Sequence, residues 1–258
     1  MSELMPTEPY LLGSHSGCCG IWVSGPEDLS SPEEWRWGYN RMTTVTGLFT
    51  AGDGVGASGH KFSSGSHAEG RIAGKNMVRF IQDHAGFKGT FKTEISEIAD
   101  EIYRPVRNYV EHKDKTTAED INPHYILPRM FQMRLQKAMD EYVAGTSTYY
   151  TTNKVMLEQG LHLLEMLKED SVHMRGKDLH ELLRAWENYH RLRTAEAHLR
   201  HILFREETRY PGFYYRADFP DLDEANWRCF GNSRMDPETG EWTMIKREWK
   251  GLVDHGHD

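Results

Sequence analysis

The segment at residues 45–59 reads Val45-Thr-Gly-Leu-Phe-Thr-Ala-Gly-Asp-Gly-Val-Gly-Ala-Ser-Gly59. Its first part, residues 45–51, is a short apolar and β-prone run, which predicts a buried strand. Its second part carries Gly-x-Gly-x-x-Gly at residues 54–59, which formally matches the dinucleotide-binding fingerprint. In that fingerprint the helix starts inside the motif and an acidic-ended strand follows, whereas here residues 60–66 intervene and no such strand pattern follows. The segment therefore predicts a different cofactor contact or simple glycine turns, with a first Rossmann turn as a further alternative.

A helix is predicted directly after these glycines. Residues 68–81 carry apolar side chains at helical spacing. Ser66 is placed to cap the N-terminus, and Glu69 follows at the spacing of a capping box. The N–H groups and partial positive charge of such a helix start favour an electron-rich ligand atom. Asp53, at the end of the predicted strand, can accept a hydrogen bond from a sugar or ribityl hydroxyl.

The overall charge argues against two classes of partner. The 258 residues include 31 Lys and Arg against 39 Asp and Glu, which gives a formal net charge of −8. Such a surface does not attract nucleic acid or an anionic membrane. Charged residues interrupt every apolar run, and the acidic N-terminal stretch does not have the pattern of a signal peptide. We therefore expect a cytoplasmic protein without membrane insertion.

The cysteines limit the redox chemistry that the chain can perform by itself. Cys18 and Cys19 are adjacent and Cys229 stands alone, so the sequence predicts neither a disulfide framework nor a Cys-x-x-Cys pair. An iron–sulfur cluster needs about four thiolates at suitable spacing. If electrons move through clusters, we expect those clusters on another polypeptide.

The sequence changes character near residue 90, and we predict domains at residues 1–90, 91–210 and 211–258. Apolar stripes at helical spacing predict four helical segments in the second part: residues 94–110 with a break at Pro105, Pro128 to Gly145, a segment capped by Asn153, and Asp178 to about Glu207. Helices with one apolar stripe must pack together, which predicts a small bundle. Residues 227–232 and 241–246 flank turn residues and predict a hairpin. The predicted fold class is therefore α+β.

Several motifs, in order along the chain, resemble one family. Residues 47–53 and 64–74 are similar to the second flavin-binding segment of the fumarate reductase and succinate dehydrogenase flavoprotein superfamily. Residues 205–227 resemble the segment that follows the C-terminal helices of that superfamily. Within it, Gly13-Ser-His-Ser-Gly-Cys-Cys-Gly-Ile-Trp22, Tyr210-Pro-Gly-Phe-Tyr-Tyr215 and the closing hairpin resemble the alpha (flavin) subunits of dissimilatory adenylylsulfate (APS) reductases.

The resemblance also implies the nature of each domain. Members of the superfamily begin with a Gly-x-Gly-x-x-Gly Rossmann turn, so this chain would be a C-terminal portion. Residues 1–90 would be the C-terminal part of a capping and FAD-binding α/β domain. Residues 91–210 would form the helical bundle domain, and residues 211–258 a C-terminal extension with the hairpin. The FAD site would be incomplete in this chain, because the other part supplies the pyrophosphate contacts.

The resemblance implies an oxidoreductase that uses FAD to convert adenylylsulfate to AMP and sulfite, or the reverse. Electrons would pass to or from a beta subunit with two 4Fe-4S clusters. His15 would hold the sulfate end of the substrate, and Lys61 would offset developing negative charge. Fumarate reductases have arginine at the position of Lys61, although a one-residue gap would place His60 there. The cofactor-binding residues implied are Gly52, Asp53, Gly54, Ser64, Gly65, Ser66 and His67.

Two other functions remain open from the sequence. The first is a flavoprotein of the fumarate reductase or L-aspartate oxidase kind that acts on a dicarboxylate, against which Lys61 argues. The second treats residues 91–258 as a helical interaction module without catalysis of its own.

We expect structural or surface roles for the remaining polar residues. A single Glu187-x-x-His190 does not predict a metal site, because such sites in bundles need two copies. His198 and His201 are expected at the surface. Three arginines are expected in structural salt bridges, namely Arg205, Arg209 and Arg216.

Overall fold

The computed structural model describes residues 20–26, 35–56, 62–86, 88–91, 93–114, 126–209 and 214–248. The chain divides into two compact units, residues 1–89 with 247–258, and residues 90–246. Several residues named above lie outside the described ranges: His15, Cys18, Cys19, His60 and Lys61.

The first unit combines one long helix with short bridged segments. Helix α1 spans Ser63–Asp83 and follows a 3-10 turn at Gly52–Gly54. Single β-bridges connect the segments that precede α1: Ile21 with Val55, Val23 with Thr43, and Met42 with Phe49.

The buried strand predicted at residues 45–51 is wrong. Val45 and Leu48 are 60% and 53% exposed. Gly47 has a φ of +80°, and the Thr43 N–H donates to the Leu48 carbonyl at 2.8 Å. The left-handed glycine therefore closes a turn in the middle of the apolar run, and only Phe49 forms a bridge.

The predicted cap of α1 is also wrong. The helix begins at Ser63, and its N-cap residue Phe62 makes no side-chain cap hydrogen bond. The Ser66 N–H donates to the Phe62 carbonyl at 2.8 Å, which places Ser66 inside the first turn. The Glu69 carboxylate binds Arg41 instead of closing a capping box. Glu69 therefore makes a tertiary contact with Arg41 where the local motif predicted a capping box with Ser66.

The second unit contains the helices predicted from apolar spacing. They are α2 (Ile95–Ile102), α3 (Arg104–His112), α4 (Pro128–Tyr142), α5 (Lys154–Ser171) and α6 (Leu179–Phe204). The break before Pro105 and the helix start at Pro128 are confirmed. Asn153 Oδ1 accepts from the Met156 N–H at 3.0 Å, and Asp178 Oδ1 accepts from the Glu181 N–H at 2.9 Å. The predicted cap of α5 by Asn153 is therefore confirmed, and Asp178 caps α6 in the same way.

Helices α4, α5 and α6 pack against one another around a shared core. The buried core side chains come from these helices and the loops between them: Phe131, Leu135, Val143, Leu157, Leu164, Leu167, Met174, Ala185, Leu192, Ala195, Leu199 and Ile202. Burial of one apolar stripe per helix explains this bundle.

Short strands complete the fold. Strand β1 (Thr151–Thr152) pairs in parallel with β2 (Tyr215–Arg216). After helix α7 (Glu224–Trp227), β3 (Cys229–Met235) pairs with β4 (Trp242–Glu248), so the predicted hairpin is present and the α+β class is confirmed. Across the described ranges, no helix has the length and apolar character needed to cross a membrane.

Candidate functional site

The structure brings together the two segments predicted to bind a cofactor. Gly52 is buried and has a φ of +66°. A β-carbon at Gly52 would lie 3.1 Å from Ser66 Oγ and 3.2 Å from Ser66 Cβ. The glycine turn therefore lies directly against the first turn of α1, and Gly52 allows this approach because it has no side chain.

The same turn is held from its other side by backbone hydrogen bonds. The Ile21 N–H donates to the Gly54 carbonyl at 2.8 Å, and the Ile21 carbonyl accepts from the Gly56 N–H at 2.8 Å. Within the turn, the Val55 N–H donates to the Gly52 carbonyl at 3.0 Å. These bonds fix the position of the turn without using the side chain of Asp53, which is exposed.

The first turn of α1 has features that suit an electron-rich ligand. The first turn of α1 contains only small residues, Ser63-Ser-Gly-Ser66, and its N-cap makes no side-chain hydrogen bond. The positive end of such a helix favours an electron-rich ligand atom. Ser64, His67 and Asp53 are exposed near this end. A carboxylate such as Asp53 can accept a hydrogen bond from a ligand hydroxyl.

An open cleft lies at the other end of α1, where sequence reasoning predicted nothing. Its volume is about 370 Å³, and it is lined by Arg36, Trp37, Gly38, Tyr39, Arg79 and Asp83. The Tyr39 hydroxyl donates to Asp83 Oδ2 at 2.7 Å. This bond connects the loop at residue 39 to the C-terminal end of α1.

The arginine-rich segment of the second unit is structural, as expected. Glu207 has a side-chain exposure of 0% and accepts from Arg205 at 2.6 Å and Arg209 at 2.5 Å. Burial alone would raise the pKa of Glu207. Hydrogen bonds from Arg209, the Asp223 N–H and Arg205 outweigh this and hold the pKa below its usual value. The carboxylate therefore stays charged between its two arginines.

Arg216 forms a second buried contact of the same kind. Its Nη2 pairs with Asp218 at 2.9 Å, and its Nη1 donates to the carbonyls of Ile202 at 2.6 Å and Arg205 at 3.0 Å. These bonds join the end of α6 to β2. Arg216 is therefore a structural residue of the second unit.

The surface position expected for His201 is wrong. Its ring is half-buried against β3, with Nε2 at 2.9 Å from Ser233 Oγ. Burial lowers the pKa of His201. His198 is exposed. Within the described part of the chain, no group of His, Cys, Asp and Glu side chains is arranged to hold a metal ion.

The sequence is similar to one protein family and to a curated relative. Residues 132–250 match the family described as fumarate reductase flavoprotein C-term. A curated relative, the adenylylsulfate reductase subunit alpha of Megalodesulfovibrio gigas, is 57% identical over 258 residues. The alignment covers 98% of this chain and 39% of that relative, so the chain spans well under half of the relative's length.

Solved structures of adenylylsulfate reductases are also similar to this chain. The adenylylsulfate reductase of Archaeoglobus fulgidus matches with a TM-score of 0.85 and 51% identity, over 95% of this chain and 38% of that chain. An adenosine-5-phosphosulfate reductase in complex with sulfite, described as a covalent adduct, matches with the same values. The quinol fumarate reductase of E. coli matches with a TM-score of 0.58 and 21% identity, over 81% of this chain and 34% of that chain, which shows a shared fold alone.

Proposed function

We propose that the chain is part of the flavin subunit of an adenylylsulfate reductase. The match of residues 132–250 to the fumarate reductase flavoprotein C-term family supports this proposal. The observation that carries this proposal is 57% identity to such a subunit over 98% of the chain. The whole enzyme then converts adenylylsulfate to AMP and sulfite, or performs the reverse reaction.

FAD supplies the two-electron redox chemistry of this reaction when it is bound. On this proposal, Gly52 and Gly54 let the backbone approach the cofactor, and Asp53 accepts a hydrogen bond from one of its hydroxyls. The first turn of α1, at residues 64–67, offers backbone N–H groups to an electron-rich atom of the ring system. The close approach of Gly52 to Ser66 supports this arrangement.

The roles of His15 and Lys61 rest on the sequence resemblance, because both lie outside the described residues. The His15 imidazole would donate a hydrogen bond to the sulfate end of the substrate. The cation at Lys61, or at His60, would stabilise negative charge that develops on the leaving groups. Lysine has no bidentate fork for a carboxylate, which favours another anion over a dicarboxylate.

The proposal also includes the partners and the organisation of the chain. Electrons would be exchanged with a beta subunit that carries two 4Fe-4S clusters, in the cytoplasm. Residues 1–90 would belong to the FAD-binding and capping part, residues 91–210 to the helical bundle domain, and residues 211–258 to a C-terminal extension. The relative from Megalodesulfovibrio gigas is itself named a subunit alpha, which supports a multi-subunit enzyme.

The test is made on the complete flavin subunit that carries this sequence, assembled with its iron–sulfur partner. We expect AMP-dependent oxidation of sulfite. For His15→Ala we expect a decrease of at least about 100-fold, the lower range for a lost hydrogen-bond donor to developing charge. The matched control is His190→Ala, which changes an exposed histidine on α6 and should leave the rate unchanged.

Two results would contradict the proposal. Reduction of fumarate with no activity on adenylylsulfate would favour the dicarboxylate enzyme instead. An assembled protein that captures an iron–sulfur partner through residues 91–258 but binds no FAD would favour the interaction module. Unchanged turnover by His15→Ala would remove His15 from the mechanism.

A further inference from the structure

We propose that Arg41 is a positioning residue that holds the Gly52–Gly54 turn against the first turn of α1 and thereby sets the affinity of the site for FAD. This inference rests on the proposed function, because that function assigns FAD to the site. Arg41 itself is not expected to contact the cofactor.

The backbone of Arg41 connects two segments that lead to the site. Its N–H donates to the Ser24 carbonyl at 2.8 Å, and its carbonyl accepts from the Thr50 N–H at 3.2 Å. Thr50 lies just before Gly52 in the sequence. Arg41 has a φ of +72°, a left-handed conformation that is unfavourable for a residue with a side chain. Such a conformation persists where surrounding contacts demand it, and it is found at functional sites more often than elsewhere.

The side chain of Arg41 reaches a third segment, the helix α1. Its Nε donates to Glu69 Oε2, and its Nη2 donates to Glu69 Oε1 at 2.9 Å. The two side chains are 18% and 12% exposed. Arg41 Nη1 also donates to Asn40 Oδ1 at 2.7 Å. A two-bond fork between guanidinium and carboxylate fixes orientation as well as distance, which a lysine cannot do.

The position of Glu69 explains why this fork matters for the site. Glu69 and Ser66 are three residues apart on α1, so they lie on one face of the helix. Ser66 is the residue that packs against Gly52. One residue thus holds the approach to the glycine turn through its backbone and the facing helix through its side chain. Loss of the Arg41–Glu69 hydrogen bonds would let the Gly52–Gly54 turn and the first turn of α1 separate.

The experiment uses three variants in the complete flavin subunit: Glu69→Ala, Glu69→Gln and Arg41→Lys. The matched control is Tyr39→Phe, which removes the hydrogen bond to Asp83 at the opposite end of the same helix. FAD affinity is measured by fluorescence titration. Hydrogen exchange is measured in the absence of FAD on the peptide that contains Val55. The Val55 N–H donates to the Gly52 carbonyl, so its exchange reports on the turn.

We expect Glu69→Ala to weaken FAD binding by about tenfold or more, the size typical of a lost group that orients ligand-binding residues. Glu69→Gln and Arg41→Lys should give smaller losses, because each keeps one of the two bonds. Exchange at Val55 should accelerate in the same order. Tyr39→Phe should leave both measurements at the wild-type value.

Wild-type affinity and wild-type exchange in Glu69→Gln and Arg41→Lys would overturn the positioning role. So would an equal loss of affinity in Tyr39→Phe, since this would indicate general loosening of α1. A wild-type subunit that binds no FAD would overturn the proposed function, and the exchange measurement would still decide whether Arg41 holds the turn.

Discussion

Gly52 shows how much the site depends on one missing side chain. The residue has a φ of +66°, and a β-carbon there would make tight contacts of 3.1 Å and 3.2 Å with Ser66. The left-handed conformation costs a residue with a side chain about 1–2 kcal/mol. We therefore expect Gly52→Ala to lower the free energy of unfolding by at least about 1 kcal/mol and to weaken FAD binding.

The prediction for Gly52 is checked by urea unfolding and by FAD titration. Gly70→Ala is the matched control, because it lies on α1 and a β-carbon there would meet nothing within 4 Å. Alanine in an exposed helix should raise the stability slightly, by about 0.5–1 kcal/mol. Equal stability of Gly52→Ala and the wild type would show that the close approach to Ser66 is absent.

Glu207 is a second residue with a large expected effect, and this effect depends on pH. The folded protein holds the pKa of Glu207 below the ordinary value of 4.5. A carboxylate with a lowered pKa stabilises the fold above its unfolded pKa, and this contribution is lost as the pH falls through the folded pKa. We therefore expect stability to decrease on acidification below about pH 4.5, the unfolded value.

The variant Glu207→Gln tests this contribution. It removes the carboxylate that pairs with Arg205, whereas Arg209 keeps its ion pair with Glu224 at 2.7 Å. Removal of one partner from a buried pair costs about 3–5 kcal/mol. The loss should be present at pH 7 and should shrink in acid, where the wild type loses the same contribution. The measurement is urea unfolding at several pH values. A loss of constant size at every pH would contradict the lowered pKa.

At the level of secondary structure, the caps show what the sequence could predict. Asn153 and Asp178 each precede an apolar stripe and cap the expected helix, because a cap needs only the next few residues. Ser66 and Glu69 satisfy the same local rule, yet α1 begins at Ser63. The tertiary contact of Glu69 with Arg41 was invisible to a local rule, since the two residues are 28 positions apart.

The glycine turn shows a related limit. The apolar run at residues 45–51 has the composition of a strand, but the left-handed Gly47 turns it back on itself. Cofactor binding by Gly52 and Gly54 stays a prediction, and the structure places Gly52 beside Ser66. The glycine pattern thus pointed to this turn, while the path of the chain through it depends on backbone angles that composition does not specify.

Gly160 determines how closely α5 and α6 approach each other. A β-carbon there would lie 2.9 Å from Leu199 Cδ1 and 3.2 Å from Tyr142 Cβ, and Leu199 is fully buried. We expect Gly160→Leu to destabilise the second unit by about 1–3 kcal/mol, as overpacked cores usually do. Thermal unfolding followed by circular dichroism measures the loss.

The double variant Gly160→Leu with Leu199→Ala distinguishes crowding from other causes. Removal of the Leu199 side chain vacates the space that the new leucine needs. The double variant should therefore lose less stability than the sum of the two single variants, because contacting sites are not additive. Strict additivity would contradict a direct contact between these positions.

For the whole molecule, the distribution of apolar side chains is informative. The bundle has a closed core, but α1 has exposed Met77, Val78 and Ile81, and α2 and α3 have exposed Ile95, Ile102 and Val110. Exposed apolar patches of this kind mark interaction surfaces. The chain spans 39% of the length of its relative, so on the proposed function the rest of the flavin subunit is available to cover such surfaces.

These exposed helix faces predict how the 258-residue chain behaves by itself. We expect it to bind a fluorescent hydrophobic dye strongly and FAD only weakly. On the proposed function it supplies only one edge of the cofactor site, and its apolar helix faces are left in water. The complete flavin subunit should bind FAD tightly and the dye weakly. Dye titration and FAD titration on both proteins, with matched molar amounts of folded chain, measure the difference. Tight FAD binding by the 258-residue chain would show that this chain is sufficient for the cofactor. A weak dye signal would show that the exposed helix faces need no cover.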